Sequence, residues 1–134
     1  MFISFGWTWP ALGNGKVVTR RYWKASHAAK FKAGVIVDAW DKVPYANGKK
    51  IGEIRIIQDA FQQNTTMMDY ADYVDEGFEF LANNLSKIPV CASSPIHKIL
   101  LENKSSVPME TFFWNWKKKN DLVWVVKFEV LKLL

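Results

Sequence analysis

The sequence predicts a mixed α+β fold: a small curved mixed sheet or partly closed β-barrel with short flanking helices. Three observations carry this. Segments of β-branched and alternating residues crowd the first 58 positions, helix-period spacing fills the middle, and a long alternating apolar segment closes the chain. Strands first, helices next and a returning strand last are the order of an α+β domain, not of repeated βαβ units.

Each element has a local reason. Phe2 to Phe5 is a short apolar strand, and Trp9-Pro10-Ala11-Leu12 suits a helical turn because proline is preformed for a first helical position. Gly13-Asn14-Gly15 breaks that turn, and Val17 to Tyr22 then alternates as a strand. Ser26 to Lys32 reads as a short helix capped by Ser26 and closed by Gly34. Val35 to Lys42 and Lys50 to Gln58 have strand composition, and Asn47-Gly48 in the polar connection marks them as a hairpin.

From Thr65 the period lengthens. Met68, Ala71, Val74 and Phe78 recur at three- and four-residue spacing, and a second helix is expected from Phe78 to Leu85. Ser94-Pro95 could cap a helix from Ile96 to Leu101, and Pro108 opens another through Trp116. Leu122 to Leu131 is the closing strand, with Trp124, Val126, Phe128 and Val130 on one face by period two. No fixed-period repeat and no Pro/Gly/Ser-rich linker divides residues 1–134, so they read as one domain.

Composition narrows the class. With 134 residues, 49% hydrophobic and 23% charged, the chain can bury a core without disulfides or metals, and it is not a disordered segment. Cys91 is the one cysteine, which excludes an internal bridge and favours a reducing compartment. Met1 to Trp7 lacks a basic leader, and the Leu122 to Val126 run is far shorter than the roughly 20 apolar residues of a membrane span. The expectation is a cytoplasmic protein with no membrane segment. His27 and His97 stand alone, without a second ligand at metal-binding spacing, so neither a metal nor another cofactor is expected.

The charge is unevenly placed. Residues 1–37 hold Lys16, Arg20, Arg21, Lys24, Lys30 and Lys32 and no acid, while the remaining residues hold 12 basic and 13 acidic side chains. Trp7, Trp9, Tyr22, Trp23 and Phe31 are interleaved with these cations, a combination suited to an anionic partner with flat rings, nucleic acid foremost. A solvated basic face is the competing reading of the same charges.

The most informative segment is Gly13-Asn14-Gly15-Lys16-Val17-Val18-Thr19-Arg20-Arg21. Thr19 and Arg21 point to one face of a strand, and Lys16, at an odd offset, can join them only from the glycine-flanked turn. This segment resembles the ASCH signature of the PUA-like superfamily, Gly-x-Lys-x-x-(Thr or Glu)-x-Arg, with Lys16, Thr19 and Arg21 matching in spacing and Asn14 in place of the glycine. His27 to Gly34, Asp75-Glu76-Gly77-Phe78 and the closing strand Val123 to Glu129 resemble further parts of that family, and residues 85–106 read as an insertion.

The resemblance implies two functions for one pocket. In the first, the domain binds RNA or a nucleotide over Lys16, Arg20 and Arg21, with Trp9 or Trp23 stacking on a base. In the second, it is an amidohydrolase that deacetylates N(4)-acetylcytidine-type nucleosides: Thr19 is the nucleophile, Lys16 its base, and Glu76 an acid/base or a group that orients the lysine. Glu76 competes with Asp69, Asp72, Asp75 and Glu79 for that place, since a run of acids is often a solvated face.

Overall fold

The structure is a computed structural model that describes residues 1–89 and 108–134. Six strands, β1 (Phe2–Ser4), β2 (Val18–Arg21), β3 (Ile36–Trp40), β4 (Lys50–Ile56), β5 (Phe61–Asn64) and β6 (Leu122–Leu133), form one curled sheet in the order β1-β3-β4-β6-β2, with β5 also on β6. The β1–β3 pair is parallel and the other pairs are antiparallel. Four α-helices lie among the described residues: α1 (Ala25–Ala28), α2 (Tyr70–Asp75), α3 (Phe78–Ala82) and α4 (Pro108–Lys118). This is a small α+β domain, the fold class the residue pattern predicts.

The closing strand organises the sheet. Its second half, from Phe128 to Leu133, pairs with β4, while its first half pairs with β2 and β5. A strand with neighbours on both edges is covered on both faces too: Val123 and Val125 are buried, and so are Val126 and Phe128. The period-two reading placed Trp124, Val126 and Phe128 on one inward face. Val126 and Phe128 do enter the main core with Phe5, Phe31, Val37 and Ile54, but Trp124, on the same face by alternation, is half-buried and lies outside that cluster.

A second apolar cluster, Ala11, Met68, Tyr73, Phe78, Leu81, Met109 and Phe113, packs α2, α3 and α4 together. Trp7 and Phe112 border it, and Trp7 stacks on Phe78 with ring centroids 5.7 Å apart and planes 10° from parallel. The gap between this helical cluster and strand β2 is where the polar residues collect.

Several boundaries differ from the sequence reading. Residues Gly6–Ala11 form a 3₁₀ turn with Pro10 inside it rather than at its start. Helix α1 begins at Ala25, so Ser26 lies within its first turn and Lys24 holds the capping position without a side-chain bond. The period from Thr65 splits into a 3₁₀ turn, Thr65–Met67, and α2, whose start is fixed by a reciprocal capping box between Asp69 and Asp72. Strand β5 has no apolar alternation to announce it; its Phe61-Gln62-Gln63-Asn64 is a strand because β6 offers a free edge there. The helix expected at Ile96 to Leu101, Cys91, His97 and most of the 85–106 segment lie outside the described residues.

No helix among the described residues is long and apolar enough to cross a membrane. Among the same residues, no group of three His, Cys, Asp or Glu side chains could hold a metal ion.

Candidate functional site

The site is assembled by a turn docking on a helix end. After the 3₁₀ turn, Gly13 and Gly15 adopt positive φ angles of 77° and 112°, folding the chain back so that the Lys16 amide donates to the Ala11 carbonyl. The next amide, of Val17, donates to the carbonyl of Asp75 at 2.8 Å. That bond ties the motif to the C-terminus of α2 and brings Lys16 against Glu76, sixty residues away in sequence.

Gly77 makes the approach possible. It sits at φ 86°, and a Cβ there would lie 2.5 Å from Ala11 Cβ and 2.9 Å from Lys16 Cβ. A side chain would push the α2 end off the lysine turn, so the Glu76-Gly77 pair is a sequence requirement of this contact.

Lys16 is buried, and its Nζ donates to three acceptors: Val18 O at 2.9 Å, Glu76 O at 3.0 Å and Glu76 Oε2 at 3.2 Å. An ammonium has three donors, and each has a partner. Burial nevertheless pulls the lysine below its ordinary pKa, with the Glu76 charge and hydrogen bond opposing and the Arg21 and Arg20 charges adding to the fall. The geometry satisfies the charged form; the low-dielectric surroundings penalise it.

Arg20 also turns toward α2 and Glu76. Its Nη1 lies 3.3 Å from Glu76 Oε1, its Nη2 2.6 Å from Asp72 Oδ1, and its Nε donates to Gln63 Oε1 at 3.0 Å. Burial alone would raise the Asp72 pKa, but the backbone N–H of Asp69 and the Arg20 charge bring it below the ordinary carboxylate value. Glu76 therefore joins two buried cations, and Asp72 completes the charge balance. Of the five candidate acids, these two occupy the site. Asp69 caps α2, Asp75 lends its carbonyl, and Glu79 accepts from the Tyr70 hydroxyl.

Arg21 is different. Its Nε donates to Thr19 Oγ1 at 3.0 Å and its Nη2 to Ser4 O at 2.7 Å, and it has no carboxylate within ion-pair distance among the described residues. Its guanidinium lies 5.7 Å from the centroid of the Phe5 ring. Burial lowers its pKa, with Glu76 partly opposing, yet a guanidinium keeps its charge. Lys16 and Arg20 balance Glu76 and Asp72, which leaves Arg21 as uncompensated positive charge.

These groups line a cavity of about 510 Å³. Lys16, Thr19, Arg20, Arg21 and Glu76 form its polar side, and Trp7, Phe78, Phe112 and Trp116 its aromatic side. At the mouth Trp116 Nε1 donates to the Tyr22 hydroxyl at 2.9 Å, which donates to Asp121 Oδ2 at 2.8 Å, so α4 is latched to the strand beside the motif. Asn115 and Lys119 also border this opening.

Five of the seven residues singled out from the sequence, Lys16, Thr19, Arg20, Arg21 and Glu76, thus border one cavity. The two tryptophans do not. Trp9 is exposed on the 3₁₀ turn, because the turn directs Trp7 inward instead, and Trp23 borders a separate, smaller cavity. Of the aromatic wall, Trp7 is among the rings interleaved with the N-terminal cations, whereas Phe78, Phe112 and Trp116 lie too far along the chain to share that signal. Phe78 and Phe112 carry helix-period signals that read as ordinary core, and they serve both purposes. Trp114, by contrast, is half-exposed, since it lies off the buried stripe of Met109 and Phe113.

No family model matches this chain, and no curated protein does. Among solved structures it is similar to the crystal structure of protein EF3133 from Enterococcus faecalis V583, described under the family DUF984, with a TM-score of 0.50 and 14% identity. The match covers 100% of this chain and 79% of that one. At that identity the likeness is one of fold: the curled sheet with its short helices recurs in the other protein.

Proposed function

We propose that this chain is an ASCH-type domain of the PUA-like superfamily that binds RNA or a nucleotide, a flat ring entering the cavity and an anionic oxygen meeting Arg21. The observation that carries the reading is the largely buried Arg21 guanidinium without a carboxylate partner among the described residues, facing a cavity with an aromatic wall. Desolvating a charge without a counterion is costly, and an anionic ligand supplies the missing one. The aromatic rings offer the stacking surface that a base needs, a contact worth about 1–3 kcal/mol in single-strand binders.

The test is titration of short single-stranded RNA at several salt concentrations. With about three phosphates neutralised, log affinity against log salt should slope at roughly −2. Arg21→Gln should abolish binding while the melting temperature is kept. Unchanged affinity in that variant overturns the assignment.

A second reading, the amidohydrolase, is favoured by one observation: Lys16, Thr19 and Glu76 border the same cavity, and Thr19 Oγ1 accepts from the Arg21 guanidinium. In that reaction Thr19 Oγ forms a bond to the acetyl carbonyl carbon of N(4)-acetylcytidine as its proton passes to neutral Lys16. The C–N bond then breaks, the leaving amine takes a proton, and water releases acetate from the threonine. Lys16 must first lose a proton now shared with Val18 O and Glu76, which is why binding is ranked first. Acetate release that rises with pH and disappears in Thr19→Ala and Lys16→Ala would establish hydrolysis. No release at high protein concentration would leave binding alone.

A further inference from the structure

A second cavity, of about 280 Å³, lies on the other side of the same arginine. It is bordered by Phe2, Ser4, Trp23 and His27, and Arg21 is the one residue that borders both cavities. Two of the five guanidinium N–H groups are spent, one on Thr19 Oγ1 and one on Ser4 O. The other three have no partner among the described residues, and a planar fork with free donors is the geometry that a phosphate accepts.

The smaller cavity has its own aromatic side. Trp23 stacks on Phe31 with centroids 4.4 Å apart and planes 26° from parallel, and the His27 ring meets it edge-on at 4.6 Å. These contacts fix the indole before any ligand arrives. Lys24, which caps α1, and Lys30 just beyond that helix are exposed and have no ion-pair partner among the described residues. The part of the basic N-terminal stretch that the larger cavity leaves unused is therefore grouped around the helix that carries His27.

We infer that the smaller cavity is a subsite for a second nucleotide, with Arg21 holding the phosphodiester between two bases. This rests on the reading of the larger cavity as a base site and narrows its ligand to a strand of at least two nucleotides. A free nucleoside fills only one of the two cavities and leaves the Arg21 donors unpaired. A strand meets all three features in order: aromatic cavity, guanidinium, aromatic cavity.

The experiment is calorimetric titration of the intact protein with the four ribonucleosides, their 3′-monophosphates and the four homodinucleotides. For the preferred base, the monophosphate should bind more tightly than the nucleoside, and the dinucleotide about tenfold more tightly again, the lower part of the range for one stacked base. Trp23→Leu and His27→Ala should remove the dinucleotide's advantage and leave the monophosphate's affinity unchanged. Trp23 packs against the core, so His27→Ala decides if the tryptophan variant fails to fold. A dinucleotide no tighter than its monophosphate for any base overturns the subsite, as does an advantage that survives in His27→Ala. If no nucleoside, monophosphate or dinucleotide binds, the base-site reading itself falls, an outcome distinct from the loss of the second subsite alone.

Discussion

Replacing Glu76 by glutamine tests the arrangement on which the site depends. Glu76 is 3% exposed and lies 3.2 Å from Lys16 Nζ and 3.3 Å from Arg20 Nη1. At those separations and an effective dielectric of about 20, each attraction is about 5 kcal/mol before desolvation. Most of that is offset by the cost of burying the charges, so the pair contributes little net stability. Removing one member is another matter, because Lys16 then has only carbonyls and an amide oxygen, and Arg20 only Asp72 and Gln63. The expected loss is about 3–5 kcal/mol.

Lys16→Met provides the control. It deletes a buried cation and leaves Glu76 paired with Arg20, so its cost should be smaller, about 1–3 kcal/mol for the unsatisfied Val18 and Glu76 carbonyls. The double variant should lose less than the two single losses added, since neither charge is then stranded. Urea unfolding of all four proteins measures this. A pH series adds a signature: because the folded-state pKa of Lys16 is lowered, the unfolded chain binds more protons just below the ordinary lysine value of about 10.4, and stability rises as pH climbs through that window. Lys16→Met should lack that rise. Glu76→Gln within about 1 kcal/mol of the parent protein, or fully additive losses, would show that the three charges do not act as one cluster.

Phe128→Ala should cost about 3–5 kcal/mol by denaturant unfolding, because the ring is 1% exposed and meets Phe5 edge-on in the main core. Gly77→Ala should destabilise by more than about 1 kcal/mol and weaken ligand binding together with stability, since the new methyl strikes Ala11 and Lys16 at a positive φ. Acidification provides a fourth check. The folded-state pKa of Asp72 is lowered, so its contribution is fully present above the ordinary value of about 3.9 and is lost as pH falls through the folded-state value; Asp72→Asn should blunt the drop in melting temperature below about pH 4.

Sequence pattern alone reveals the parts of this fold whose cause is local. The hairpin of β3 and β4 follows from strand composition on either side of a polar connection, within which Asn47 takes a left-handed conformation at the end of the 3₁₀ turn Pro44–Ala46. The closing strand follows from its alternation. Strand β5 does not, because nothing in Phe61-Gln62-Gln63-Asn64 prefers a sheet; the edge of β6 imposes it. The split between α2 and α3 falls between these cases. Hydrophobic spacing by itself runs straight through Phe78, but a second helix is expected from Phe78, and α3 does start there, with Gly77 supplying the positive φ between the two helices. Periodicity records which residues face inward, and two short helices sharing one apolar cluster leave the same record as one long helix.

The site divides along the same line. Lys16, Thr19 and Arg21 sit within six residues, and strand alternation with a glycine-flanked turn is enough to bring them together. Charge totals, however, mislead about which cation is available. The stretch from 1 to 37 offers six, and by composition all are equivalent, but folding spends Lys16 and Arg20 on Glu76 and Asp72, both supplied by α2 and its end. Arg21 escapes because its strand position turns it toward Ser4 and Phe5, where no carboxylate among the described residues lies within ion-pair distance. Neutralising the first two cations also limits the third: a cluster of three uncompensated charges at this spacing would repel itself out of a buried site, whereas one guanidinium over a balanced quartet keeps a localised demand for an anion. On the proposed reading, the acids of α2 and its end would act on ligand binding without touching a ligand, by confining the positive charge to the residue that borders both cavities.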